Sequence, residues 1–480
     1  MNPQSRLLRI SPEDNVAVAL EPLAEGSECD SGGSLFTART AVPRGHKIAL
    51  SDIAAGRNVI KFGQPIGHAL HDIAAGEWVH VHNLKTNLGG TGEYHYEPEI
   101  REPAAVETPR MFDGFVRANG DVGIRNEIWI LPTVGCVNRI CSALASRFPS
   151  RPGIDGVHAF THPYGCSQLG DDHENTRRIL ACLAQHPNAA AVLVVGLGCE
   201  NNTMAGFKEA IGDCDPARFR FLSVQEAGDE MEEGLKLLDE LAETAAAAKR
   251  QPVPLSSLKV GLKCGGSDGF SGITANPLLG AFSDWLCGAP LFMNRGASRG
   301  VFDGCGGRTN GFKKSFLRHN QVVCENPSPG NKDGGISTLE EKSLGCTQKG
   351  GNGPVVDVLP YGGRLSRPGL NLLYGPGNDI VAVTVLAAAG AHMVLFTTGR
   401  GTPLGGPVPT VKISSNSELA ARKKQWIDFD AGRLLDGASL DGLADELLDQ
   451  VVAIASGTLT TKAETNGFRE IAIFKDGVTL

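Results

Sequence analysis

Leu193-Val194-Val195-Gly196-Leu197-Gly198-Cys199-Glu200-Asn201-Asn202 is an apolar run that breaks off in a glycine- and cysteine-bearing turn. An unbroken apolar run of this length reads as a strand buried on both faces, which belongs in a parallel sheet covered by helices. The construction recurs. Ile130-Leu131-Pro132-Thr133-Val134 leads into Gly135-Cys136-Val137-Asn138, and Phe160-Thr161-His162-Pro163-Tyr164 leads into Gly165-Cys166-Ser167-Gln168. Val260-Gly261-Leu262-Lys263 leads into Cys264-Gly265-Gly266-Ser267-Asp268, and Gly345-Cys346-Thr347-Gln348-Lys349 looks like a fifth contributor. Ligands of α/β sheets bind beyond the carboxyl ends of strands, so the turns are expected to converge on one metal or substrate site. A single buried cysteine reads equally well as a small hydrophobe at a tight turn, and thiols spaced this widely fit no zinc pattern. Repetition is what favours the shared site.

Outward from these turns, residues 111–254 alternate strands with helical patterns: Ile128 to Val134, Val157 to Thr161, Ala191 to Val195 and Phe219 to Val224 are the strands. Glu226 to Lys249 places Met231, Leu235, Leu238, Leu241 and Ala245 at helical spacing, and Gln251-Pro252-Val253-Pro254 is expected to stop that helix. Residues 255–480 start again with the strand Leu258 to Leu262 and add Val355 to Leu359, the helix-like Asp379 to Ala389 and the strand Met393 to Phe396. Residues 1–85 read instead as short strands, Val16 to Leu20, Leu35 to Thr37, Val59 to Phe62 and Trp78 to Asn83. They contain an echo, in which Asp52-Ile53-Ala54-Ala55-Gly56 returns as Asp72-Ile73-Ala74-Ala75-Gly76. Two copies are too few for a solenoid and predict a small pseudo-symmetric β-domain. Residues 86–110 lack apolar periodicity and read as a linker. The fold class is therefore α/β, two units with mostly parallel sheets preceded by a small β-domain.

The 480 residues carry a formal charge of -8 without any Lys/Arg block, which argues against a nucleic-acid or anionic-membrane partner and for small molecules. No segment reads as a signal peptide or a membrane span, so a soluble cytoplasmic protein is expected. Twelve cysteines without a short-spaced framework read as reduced thiols or metal ligands. There is no Walker phosphate loop or H-E-x-x-H, and Gly196-Leu197-Gly198 lacks the third glycine of a dinucleotide fingerprint. Oligomeric state is left open, a homo-oligomer included.

Between His162 and Glu174 the chain gathers imidazole, thiol and carboxylate groups, with His162, Cys166, Asp171, Asp172, His173 and Glu174 in thirteen residues. Such a set binds a borderline divalent ion such as iron or manganese and moves protons. The competing reading is that Asp171 to Glu174 simply favour a helix N-terminus. Cys324-Glu325-Asn326-Pro327-Ser328-Pro329-Gly330-Asn331-Lys332 holds too much Pro and Gly for a regular element and reads as a functional loop. Arg400, between Gly399 and Gly401, is placed to grip a substrate carboxylate, unless it is a solvated turn residue. His46, in a turn after Gly45, either belongs to a lid over the substrate or is a surface histidine.

Taken in order, the motifs resemble the galactarate and altronate dehydratase family over nearly the whole chain. They are Arg117 to Gly123, Leu131 to Asn138, Tyr164 to Gln168, Gly198 to Asn202, Cys264 to Asp268, Glu325 to Lys332 and Thr398 to Pro403. The small domain is similar to the SAF-type β-clip domain of these proteins, with Gly45-His46-Lys47 in its turn. The resemblance implies dehydration of D-altronate to 2-dehydro-3-deoxy-D-gluconate with ferrous iron. An iron-sulfur cluster on Cys136, Cys166 and Cys199 is the alternative cofactor. For the reaction a base must take the C2 proton and an acid must protonate the departing C3 hydroxyl. His46, His162, His173, Glu200 and Lys332 are the catalytic candidates. Asn138, Gln168, Asn201, Asn202, Ser267, Asp268, Asn331 and Arg400 are the substrate-binding candidates, and Cys136, Cys166, Cys199, Cys264 and Cys346 the metal candidates. Galactarate stays open as a substrate. Between residues 286 and 311 the chain departs from the family and is rich in glycine, so a surface loop in place of a sheet strand is expected there, with the alternative of an impaired sugar-acid-binding homologue.

Overall fold

The computed structural model describes residues 6–30, 35–88, 110–288, 292–297 and 326–477. The first of its three parts is built of short antiparallel strands. Leu7–Leu8, Val16–Ala19, Lys47–Ala49 and Trp78–Val79 form one sheet, and Asn58–Lys61, Gln64–Ala69 and Leu84–Lys85 a second. The sequence echo is a structural pairing. Ile53 and Ile73 exchange backbone hydrogen bonds of 2.8 and 2.9 Å. Asp52 accepts from Ala75 N and Asp72 from Ala55 N, each at 2.8 Å, so each copy caps the turn of the other.

The second part centres on a four-stranded parallel sheet, in the order Gly156–Ala159, Glu127–Pro132, Ala189–Gly196, Phe219–Ser223. Every residue of Glu127–Pro132 is buried, as its apolar run requires of a strand covered on both faces. Gln251–Pro254 does more than end the helix Glu230–Ala246. It pairs antiparallel with Met111–Val116 as an edge strand of a separate three-stranded sheet. Prolines are tolerated at a sheet edge because that side needs no donor.

The third part is a seven-stranded parallel sheet. Its order is Val355–Leu359, Gly369–Tyr374, Phe292–Ala297, Lys259–Cys264, Met393–Thr398, Thr410–Ser414, Phe429–Asp430. This corrects the expectation of a loop, since Phe292–Ala297 is an interior strand, paired with Lys259–Cys264 on one side and Gly369–Tyr374 on the other. A ladder is made by backbone groups, so the glycine at 296 weakens such a strand without forbidding it. Residues 298–311 lie outside the described part, as do Cys324, Glu325 and most of the expected linker. The second and third parts share one core, in which Trp129, Leu131 and Ile179 cluster with Val383, Leu386 and Phe396. Each fully buried side chain of this kind contributes about 1.5–3 kcal/mol. No described helix is long and apolar enough to cross a membrane.

Candidate active site

In the large sheet Lys259–Cys264 has its sequence successor Phe292–Ala297 on one side and the much later Met393–Thr398 on the other. That is a topological switch point, where α/β sheets open a crevice at their carboxyl ends. The turns after those two strands knit together there. Gly266 O accepts from Gly399 N at 3.0 Å and Arg400 N at 2.9 Å, and Gly265 N donates to Thr397 O at 3.0 Å. Gly399 is required, because a Cβ there would overlap the Asp268 carboxyl group. Asp268 Oδ1 accepts from Ser271 N, Ser271 Oγ and Ser415 Oγ, and its Oδ2 from Asn416 Nδ2, at 2.7–3.0 Å. It therefore holds the crevice together. Arg400 is exposed, and among the described residues no side-chain hydrogen bond or ion pair occupies its guanidinium.

Residues 326–335 and the small domain cover this crevice. Asn331 Nδ2 donates to Ser267 O at 2.9 Å, Gly269 N to Gly334 O at 2.7 Å, and Lys342 Nζ to the side-chain oxygens of Asn326 and Asn331 at 3.1 and 3.0 Å. Lys332 lies in the short helix Pro329–Asp333 of the same segment. From the small domain, His46 Nε2 donates to Asp333 O at 3.1 Å while its Nδ1 accepts from Trp78 Nε1 at 3.2 Å. His46 is 5% exposed, which excludes the surface-histidine reading, and burial pushes its pKa down. Beside it the buried Lys47 and Lys61 both reach Glu341, at 2.9 and 2.7 Å. Burial lowers the pKa of Lys47 to about 8 against the pull of Glu341. Burial alone would raise the Glu341 pKa, but the two ammonium groups outweigh it and hold the carboxylate ionised.

The small sheet has its own switch point, at the end of Glu127–Pro132. His162 Nε2 donates to Pro132 O at 2.8 Å and Nδ1 accepts from Tyr164 N at 3.2 Å. Burial lowers its pKa to about 4, so it is a neutral, fully engaged ring. Glu200 accepts from Thr133 Oγ1 at 2.6 Å, Leu197 N at 3.1 Å and Gly198 N at 2.6 Å. Burial opposes its ionisation, and these bonds outweigh burial and lower its pKa. Asn138 Nδ2 donates to His162 O at 2.9 Å, and Asn201 accepts from Ser167 N at 2.8 Å. Gln168, 1% exposed, has no partner among the described residues for either amide atom, and neither Asn202 Oδ1 nor His173 Nδ1 has one there. Unsatisfied buried polar atoms gathered on adjacent loops are what a polar ligand or ordered water would complete.

Three family models match in succession. Residues 5–87 match the altronate/galactarate dehydratase SAF domain, 114–246 the second domain of D-galactarate dehydratase/altronate hydrolase, and 255–479 the C-terminal part of D-galactarate/altronate dehydratase. The chain is 55% identical to the altronate dehydratase of Escherichia coli (strain K12), over 98% of its own length and 99% of the relative's. The chain belongs to the galactarate and altronate dehydratase family. It is also 51% identical to the altronate dehydratase of Bacillus subtilis (strain 168), with 98% and 99% of the two chains covered. With the L-threo-forming galactarate dehydratase of E. coli the identity is 30%, over 98% and 97%.

Within this family member the five metal-candidate cysteines do not come together as one set. Cys136, Cys166 and Cys199 are exposed on the turns of the small sheet, whereas Cys264 and Cys346 are buried at the large one. Similar turns follow strands of two different sheets, and sequence does not say which sheet a strand joins. Among the described residues no three His, Cys, Asp or Glu side chains group as a metal site. The ferrous ion implied by the resemblance therefore has no assembled ligand set here, and no chemical step below passes through it. The reading of the sequence missed Lys47, Lys61, Glu341, Lys342 and Lys349. A lysine inside the apolar run Val59-Ile60-Lys61-Phe62 is a signal of a buried partner, but not of which one.

Proposed function

We propose that this chain dehydrates D-altronate to 2-dehydro-3-deoxy-D-gluconate, working as a soluble enzyme of the cytoplasm. The observation that carries the substrate is the contrast in identity, 55% and 51% to altronate dehydratases against 30% to a galactarate dehydratase, all over 98% of the chain. In the reaction the C2 proton leaves to a base, the C3 hydroxyl departs as water, and the resulting enol takes a proton at C3 to become the 2-keto acid. Charge that develops on the substrate carboxylate needs a fixed cation beside it. Arg400, unengaged at the switch point, suits that task with its planar two-pronged guanidinium. His46, His162 and Glu200 already spend their polar atoms on the protein, so they hold loops in place. Of the other candidates, His173 keeps a ring Nδ1 without a partner among the described residues, and Lys332 lies on the segment that bonds the Ser267 carbonyl through Asn331; proton transfer is assigned to these two.

An aldonate and aldarate panel, assayed for 2-keto product with and without ferrous iron, tests the reading. D-altronate is expected to be turned over well above galactarate. Arg400→Lys is expected to raise KM about tenfold or more, since a charge-assisted hydrogen bond is worth about 1.5–3 kcal/mol. Preference for galactarate would overturn the substrate, an unchanged KM would remove Arg400, and no turnover at all would favour the impaired homologue.

A further inference from the structure

At the buried end of strand Lys259–Cys264 the sulfur of Cys264 lies 3.3 Å from that of Cys346, which is in the last turn of the helix Leu339–Thr347. Lys349 completes the cluster, its Nζ 3.1 Å from Cys264 Sγ and 2.8 Å from Cys346 O. Lys349 is 5% exposed and has no carboxylate partner among the described residues, while the neighbouring Lys263 is paired with Asp379 at 3.3 Å. A buried ammonium without a counter-ion is costly, and among the described residues the group within hydrogen-bond reach of it that can carry a negative charge is the Cys264 sulfur. The reactive form of a cysteine is thus favoured next to a second thiol. Cys346 also lines a narrow cavity together with Asn276, Asp268 and Phe62. Nothing in the proposed dehydration uses this pair.

We propose that Cys264 and Cys346 form an oxidation site for small hydroperoxides, which close the pair into a disulfide and thereby stop dehydration. The Cys264 thiolate attacks one peroxide oxygen, the O–O bond breaks, and the other oxygen leaves as water once protonated. The Cys346 thiol then displaces the remaining hydroxyl from the Cys264 sulfenic acid, forming the S–S bond and a second water. Overall two thiols and one hydrogen peroxide give one disulfide and two waters. The sulfurs must close from 3.3 Å to a bond of about 2.05 Å. That displacement pulls on Cys264, whose successors Gly265 and Gly266 anchor Thr397, Gly399 and Arg400. It pulls equally on the helix that carries Lys342, the support of Asn326 and Asn331.

The test treats reduced, metal-free full-length protein with hydrogen peroxide, alkylates the remaining thiols and maps the peptides. A Cys264–Cys346 linked peptide is expected, removable by dithiothreitol, before exposed Cys136, Cys166 and Cys199 are consumed. Loss of altronate turnover should parallel the link and return on reduction, and Cys346→Ser, compared with its own untreated activity, should lose at least tenfold less. The proposal is overturned if the exposed cysteines oxidise while this pair stays alkylatable, or if Cys346→Ser is inactivated as fast as the parent. The effect on activity rests on the altronate reading, but the mapping needs no substrate. Failure of that reading would show as absent turnover in the reduced protein.

Discussion

A polar side chain performs chemistry only through an atom the protein has left unengaged, and by that measure the histidines of this chain differ. His162 is held as a neutral ring, with its pKa at about 4 against 6.5 in an unfolded chain. As pH falls below 6.5 the unfolded state takes up a proton that the folded state refuses, so stability present above 6.5 is lost progressively down to 4. The difference amounts to about 3 kcal/mol at about 1.4 kcal/mol per unit. His80 and His186, each pushed by burial to about 3, act in the same direction. Urea midpoints measured between pH 7.5 and 5 should therefore fall with acidification. His162→Gln should shallow that slope by close to one proton, and identical slopes would show that His162 titrates normally.

Elements show most clearly what the sequence could reveal. Apolar runs such as Ala189–Gly196 and Met393–Thr398 announce their strands, because two-sided burial leaves no charged residue in them. Which sheet each strand joins depends on contacts between distant segments, and so the sequence does not show that the cysteine turns are divided between two sheets. The helix Gly170–Ala184 is a case where both readings of its acidic start contain some truth. Asp171 and Asp172 do lie in its first turn, where the dipole favours them. Asp172, 6% exposed, also accepts from Asp476 N at 2.8 Å and Gly477 N at 2.7 Å, tying down the end of the described chain. That strap carries Ile471 and Ile473 into the core shared by the two sheets. Asp172→Ala removes the acceptor of two backbone donors, of which the exposed Gly477 regains water, and should cost about 1 kcal/mol. Amide exchange at Asp476 and Gly477 should rise first. Unchanged exchange at both amides would mean the strap is held by its isoleucines alone.

In the whole molecule, the second and third parts share a core, whereas the small domain is joined to them through charge. Lys47 and Lys61 are 0% and 2% exposed, and both rely on Glu341, some 280 residues away in sequence. No periodicity in the small domain points to that carboxylate, because its partner is chosen by docking rather than by local structure. Thr338 Oγ1 to Ile66 O, Thr86 to Glu340 and the packing of Leu344 against the small-domain core add neutral contacts around it. Removing the charge of Glu341 would leave two buried ammonium groups uncompensated, and breaking a buried pair in this way costs about 3–5 kcal/mol. A lysine freed of its carboxylate recovers that loss either by giving up its proton, as burial already inclines Lys47 to do, or by reaching water, which means parting the domains. Glu341→Gln should therefore convert a single calorimetric transition into two, the earlier one belonging to the small domain. Because His46 and Lys47 bond Asp333 O and Gly335 O over the crevice, altronate turnover should fall at temperatures between the two transitions. The triple variant Lys47→Met/Lys61→Met/Glu341→Leu removes all three charges together. It should regain much of the single transition, since an apolar replacement of a buried ion cluster is often neutral. One unshifted transition in Glu341→Gln would show that neutral contacts alone fix the small domain.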